Sequence, residues 1–144
     1  MSHADLERVA TAMVAKDKGL LAADESTSTI KKRFDKIGLE STEEHRRAYR
    51  DMLFSTPGVA QWISGVILYD ETLRQKSKEG VPFPDYLTKL GIIPGIKVDL
   101  GAKPLALFPG ETITEGLDGL RERMMEYYKL GARFAKWRAV IDIA

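Results

Sequence analysis

Apolar positions along this chain fall into two recurring patterns, one with helical spacing and one of short uninterrupted runs, and they take turns. Leu6, Val9, Ala10, Met13 and Val14 recur at three- and four-residue steps and predict an amphipathic helix over residues 4–18, closed by Lys18-Gly19. The run from Gly19 to Asp24 reads as a strand buried on both faces. ESTSTIKKRFDKIG follows, a helix with a hydroxyl-rich mouth and Ile30, Phe34 and Ile37 on its apolar side. Ser41-Thr42-Glu43-Glu44 has the spacing of a capping box and opens a helix expected to reach Phe54. A second strand is predicted at Gly65 to Tyr69, then a short charged stretch, and only a brief helix at Asp85 to Leu90. A third strand covers Gly95 to Val98 and leads into a long loop, LGAKPLALFPGETITEG. Loops of that length in compact domains tend to be functional. Leu117, Leu120, Met124 and Tyr127 mark a helix ending near Leu130-Gly131, and a fourth strand is predicted from Arg133 to about Ile141. Strand and helix in alternation give an α/β fold with a parallel sheet built by right-handed crossovers.

Three of these strands share a further property. LLAADES (20–26), GIKVD (95–99) and ARFAKWR (132–138) are apolar runs that end in charge. Barrels of parallel strands assemble their active sites from residues at the C-terminal ends of several strands. Asp24, Lys97, Lys136 and Arg138 are therefore candidates for one shared site. Lysine there has two uses: protonated, it binds phosphate or an oxyanion, and with its charge disfavoured it attacks carbonyls. Lys97 and Lys136 are open to either. Asp24 beside them would orient an ammonium group or shuttle a proton. Arg33 and Arg138 offer planar donor forks, and the hydroxyls of Ser26, Thr27, Ser28 and Thr29 lie at a helix N-terminus, where anions are favoured. Together these groups point to a phosphorylated, carbonyl-bearing substrate. Arg46 and Arg47 read as a solvated face, His45 as exposed and inert, and Met124, Met125, Tyr127 and Tyr128 as core and helix surface.

Composition removes several alternatives. The chain has 144 residues and a formal charge of +1, with no basic cluster interleaved with aromatics, so nucleic acid is not an expected partner. It has no cysteine and only His3 and His45, which argues against disulfides, thiol catalysis and a zinc site. The N-terminus carries acids and lacks a signal-peptide core, and no run of about 18 apolar residues would span a membrane. The default expectation is a cytoplasmic protein. Four strand–helix units fall short of the eight in a closed (β/α)₈ barrel, and the terminal VIDIA follows a strand with no covering helix, the pattern of an interrupted chain.

At these same residues the sequence resembles the class I, Schiff-base fructose-bisphosphate aldolases. GLLAADES, TEEHRRAYR, GVILYDETLRQK, VPFPDYL, PGIKVD, GETITEGLDGLRER and GARFAKWR carry the likeness in order along nearly the whole chain. The resemblance implies a (β/α)₈ TIM barrel, with residues 1–144 supplying the N-terminal helix and the first four βα units, normally within a tetramer. It implies reversible, metal-free and cofactor-free cleavage of fructose 1,6-bisphosphate to dihydroxyacetone phosphate and glyceraldehyde 3-phosphate, in glycolysis and gluconeogenesis. By this likeness Asp24 handles protons and positions amines, Lys136 stabilises developing charge near the Schiff base, and Lys97 lies close to the same centre. Arg33 would contact a substrate phosphate, with Ser26 and Thr29 beside it, and Arg46 and Arg138 would be further substrate contacts. Where the family often has a small residue and serine after DEST, this chain has Ser28 and Thr29, which keeps a hydroxyl. The imine-forming lysine and the glutamate acid–base of the family lie beyond Ala144. The alternative from another class is a non-catalytic half-barrel that self-assembles or binds sugar phosphates, since unpaired sheet edges seek a partner strand.

Overall fold

In a computed structural model, residues 2–141 are described, and residues 142–144 of the terminal VIDIA lie outside them. Helix α1 (His3–Met13) opens the chain with a capping box between Ser2 and Asp5. It stops short of the expected Lys18. The Met13 carbonyl, free at the helix end, accepts from the Ser64 hydroxyl at 2.6 Å, and Asp17 takes a left-handed turn (φ 63°) that swings the chain into the sheet. Strand β1 (Gly19–Ala23) leads to α2 (Thr27–Asp35), capped by Ser26, and then to α3 (Glu43–Phe54). The cap of α3 is Thr42, whose hydroxyl accepts from the His45 amide, and not the expected Ser41. Glu44 turns instead to Arg47, so the anticipated capping box is not formed.

A single turn, α4 (Val59–Trp62), precedes β2 (Ile63–Leu68). The charged stretch after it is helical, α5 (Asp70–Arg74), and α6 (Phe83–Lys89) starts earlier than the sequence suggested, with Pro84 in its first turn. Strand β3 (Ile93–Lys97) follows. The expected long loop contains an antiparallel hairpin, β4 (Ala102–Pro104) with β5 (Thr112–Thr114). Helix α7 (Leu120–Lys129) begins after a left-handed Gly119 and not at Leu117, and strand β6 (Phe134–Lys136) is much shorter than predicted.

The main sheet is parallel in the order β1-β2-β3-β6, each strand beside its sequence neighbour of the same sheet, as crossover helices require. The helix-side face holds the core. Ala23, Val66, Leu68, Ile96 and Val98 are buried there under Phe54, Leu73, Phe83, Leu87 and Tyr127, with Phe54 and Phe83 in edge-to-face contact at 5.1 Å. The opposite face is thinner and more open, with Leu20 44 % exposed and the Phe134 ring lying across Gly65 and Gly95. This is the face that carries the charged row.

Candidate active site

Register explains how residues more than a hundred positions apart converge. Ala23 pairs with Leu68, Leu68 with Ile96, and Ile96 with Ala135, so these four stand level across the sheet. Ala23, Leu68 and Ile96 point into the helix-side core. Because side chains alternate along a strand, the next residues, Asp24, Tyr69, Lys97 and Lys136, form a row on the opposite face. That row floors a cavity of about 530 Å³, walled on one side by the start of α2 and on the other by Asp99 and Arg138.

Within it the charges pair in two sets. Lys136 Nζ donates to Asp24 Oδ2 at 2.6 Å, which joins the first strand of the sheet to the last. Lys97 Nζ donates to Asp99 Oδ1 at 2.5 Å and to the Asp99 carbonyl at 2.6 Å. Asp99 also accepts from the amides of Gly101 (3.1 Å) and Arg138 (3.2 Å). Burial pushes its carboxyl up, but Lys97 and the two amides outweigh this and hold it below its ordinary range. The Arg138 contact also accounts for the early end of β6. After Val98 N donates to the Lys136 carbonyl, the next outward amide on that side turns to the Asp99 carboxylate instead of continuing a ladder.

The anion side lies on α2. The Ser26 hydroxyl accepts from the Thr29 amide at 3.3 Å and sits within hydrogen-bond distance of the Ser28 and Thr29 hydroxyls. Arg33, one turn further on, lines the same cavity and is ion-paired with Glu25. Amides at a helix N-terminus, hydroxyls and a guanidinium together suit a phosphate group.

Of the residues expected from the sequence, Asp24, Lys97, Lys136, Arg138, Ser26, Thr29 and Arg33 all line this cavity, and Arg46 does not. Arg46 is buried on α3, and its guanidinium is taken by Glu71 at 2.5 and 2.8 Å and by the Ser41 carbonyl at 2.5 Å. It is neither a solvated residue nor one that faces the cavity. His45 is partly buried, with Nδ1 2.7 Å from the Glu40 carbonyl. Asp99, Tyr69 and Glu25 line the cavity and were not anticipated. Asp99 was signalled: two residues beyond Lys97 in an extended segment, it must share that lysine's face.

The sequence matches the family model described as Fructose-bisphosphate aldolase class-I over residues 5–144. The chain belongs to the class I fructose-bisphosphate aldolase family. It is 65 % identical over 143 residues to a probable fructose-bisphosphate aldolase class 1 of Xanthomonas axonopodis pv. citri, covering 99 % of this chain and 43 % of that protein. Fructose-bisphosphate aldolase 1 of Toxoplasma gondii is 60 % identical over 139 residues, covering 96 % and 38 %. A solved structure of fructose-bisphosphate aldolase from Plasmodium falciparum, in complex with TRAP and a small-molecule inhibitor, superposes with a TM-score of 0.92 at 56 % identity, over 96 % of this chain and 41 % of that one. The chain thus spans less than half the length of the relatives it matches, and its fold is that of part of their barrel. No helix among the described residues is long and apolar enough to cross a membrane.

Proposed function

We propose that this chain forms the first half of a single aldolase barrel and supplies accessory catalytic and phosphate-binding groups to the reversible cleavage of fructose 1,6-bisphosphate. The observation that carries the reading is the paired row of charge beside an anion site. Lys136 and Asp24 stand at hydrogen-bond distance in one cavity with Lys97, while Ser26, Thr29 and Arg33 offer donors for a phosphate a few residues away.

In this reading the substrate phosphate displaces water from the α2 N-terminus and draws Arg33 away from Glu25. The ammonium of Lys136 then faces the substrate hydroxyl oxygen that holds negative charge once its proton is removed and becomes the aldehyde oxygen as the carbon–carbon bond breaks and its electrons pass to the imine. Asp24 keeps that ammonium oriented and relays its proton. Lys97, fixed by Asp99, adds a second positive group to the same floor, and Arg138 closes the side next to it. The imine-forming lysine and the general acid belong to strands that follow the fourth in the relatives. A cytoplasmic setting fits, and one relative, at 59 % identity over 126 residues, is the Arabidopsis thaliana protein called fructose-bisphosphate aldolase 6, cytosolic. A tetramer and a place in glycolysis and gluconeogenesis belong to the same proposal.

The test combines this chain with a polypeptide carrying the remainder of the Xanthomonas relative. The mixture is incubated with dihydroxyacetone phosphate, reduced with borohydride and weighed intact. The expected result is a reduced adduct on the complementing polypeptide, none on this chain, and cleavage of fructose 1,6-bisphosphate only by the mixture. An adduct on this chain would move the nucleophile to Lys97 or Lys136 and overturn the accessory role.

A further inference from the structure

Beyond Ala23 the first strand leaves the ladder, and α2 begins only at Thr27. The three residues between, Asp24, Glu25 and Ser26, include the carboxylate that meets Lys136 and the hydroxyl that caps the anion site. Their geometry needs an anchor other than the sheet. Arg50, on α3, reaches this segment from the core side. Its Nε donates to the Ala23 carbonyl at 3.3 Å, and its Nη2 donates to the Glu25 carbonyl at 2.8 Å and lies 3.4 Å from Glu25 Oε2. The two carbonyls bracket Asp24.

We infer that Arg50 is a positioning residue, whose buried guanidinium clamps the backbone on both sides of Asp24 and so sets the Asp24–Lys136 pair and the Ser26 cap for substrate; this rests on the sugar-phosphate reading above. The Arg50 side chain is only 1 % exposed. Placing a guanidinium there is costly unless its donors are used, and burial does push its proton affinity down. Nε and Nη2 are compensated by the segment itself and the Glu25 carboxylate, with the Tyr49 ring 5.8 Å from the guanidinium carbon, while Nη1 is buried with no hydrogen-bond partner among the described residues. A flat fork can satisfy two carbonyls two residues apart, whereas a lysine ammonium is a single point at the end of a flexible stem. Glu25 extends the link outward, since its other oxygen pairs with Arg33. One buried side chain thereby ties the carboxylate half of the site to its phosphate half. Misplacement by about 1 Å of a group that must meet substrate can lower efficiency by about a hundredfold.

Arg50→Lys keeps the charge and removes the fork. Amide hydrogen exchange on this chain should show protection lost at Thr29 and Ile30, whose amides donate to the Ser26 hydroxyl and carbonyl, while Val66 and Ile96 keep theirs, and affinity for fructose 1,6-bisphosphate should fall about tenfold. Phe54→Leu, on the same helix and buried in the core, lowers overall stability without touching the clamp, and should leave affinity within twofold and protection at Thr29 and Ile30 in step with the rest of the chain. Unchanged protection at Thr29 and Ile30, or affinity within twofold of the parent, in Arg50→Lys overturns the clamp. If the unmodified chain binds neither fructose 1,6-bisphosphate nor inorganic phosphate, the sugar-phosphate reading itself falls, and the exchange measurement still decides whether Arg50 holds the segment.

Discussion

Asp99→Asn removes one charge and almost no volume, so it isolates what the carboxylate does. Its side chain is 1 % exposed and accepts three hydrogen bonds, from Lys97 and Gly101 at one oxygen and from Arg138 at the other. An amide has a single acceptor oxygen. Whichever way it turns, its NH₂ confronts at least one donor that has no other partner, at about 1–3 kcal/mol for a buried unsatisfied group. The ion pair with Lys97 is lost as well. That term is smaller than the 3–5 kcal/mol typical of a fully buried pair, because Lys97 retains the Asp99 carbonyl at 2.6 Å. The sum is about 2–4 kcal/mol at pH 7, a large share of an ordinary folding free energy. The same charge makes the effect depend on acid. In the folded chain the Asp99 carboxyl titrates below its ordinary 3.8, so the unfolded chain takes up the proton first as pH falls. The ionic part of the stabilisation is complete above about pH 3.8 and disappears as pH drops through the lower, folded value. Urea unfolding of both proteins, followed from pH 7 into the acid limb, should show a gap of this size that closes below about pH 3.8. A gap under about 0.5 kcal/mol at pH 7, or one that does not change with acid, refutes the assignment of Asp99 as the ionised anchor of Lys97 and Arg138.

Arg46→Met should cost about 2 kcal/mol in urea unfolding, because it strands the largely buried Glu71 carboxylate, while affinity for fructose 1,6-bisphosphate stays within twofold of the parent. A tenfold loss of affinity at unchanged stability would return Arg46 to the substrate site. Gly95→Ala should destabilise by about 1–3 kcal/mol, since an added Cβ falls against the Phe134 ring on the open face of the sheet. Combined with Phe134→Leu, the loss should be smaller than the sum of the two single losses, and strict additivity would show that the ring does not rest on Gly95.

What could be read from the sequence, and what could not, divides along the range of the interactions involved. The charged strand ends were legible because two local rules suffice: apolar runs locate parallel strands, and a period of two fixes which residues share a face. Asp99 obeys the same rule relative to Lys97 and could have been found by it. Helix α5 was hidden, since five residues carry too little periodicity. It is held by Leu73, buried in the core, while the exposed Arg74 pairs with Asp70 and reaches Glu126, 52 positions away. The β4–β5 hairpin was hidden for a similar reason. Its side chains are mostly exposed, its strands are three residues each, and the hydrogen bonds that define it run between backbone groups.

Arg46 and Arg50 make the sharper case. Read alone, arginines on a charged helix belong to a solvated face, because burying one requires an acceptor that local sequence does not display. Their acceptors are Glu71, 25 positions on, and the Ala23–Glu25 backbone, 25 to 27 positions back. Yet the spacing was informative. Arg46, Arg50 and Phe54 follow one another at four-residue steps, so they lie along a single stripe of α3, and Phe54 is fully buried in the core. A stripe anchored by such a phenylalanine and continued by two arginines faces inward along its whole length, and its arginines meet the end of β1 and the start of α5, where carbonyls and a carboxylate are available. Helical position, more than residue type, was the guide to which arginines are buried. The same geometry brings Arg50 up to the first strand from behind, on the side away from the cavity, where it can fix Asp24 without entering the site.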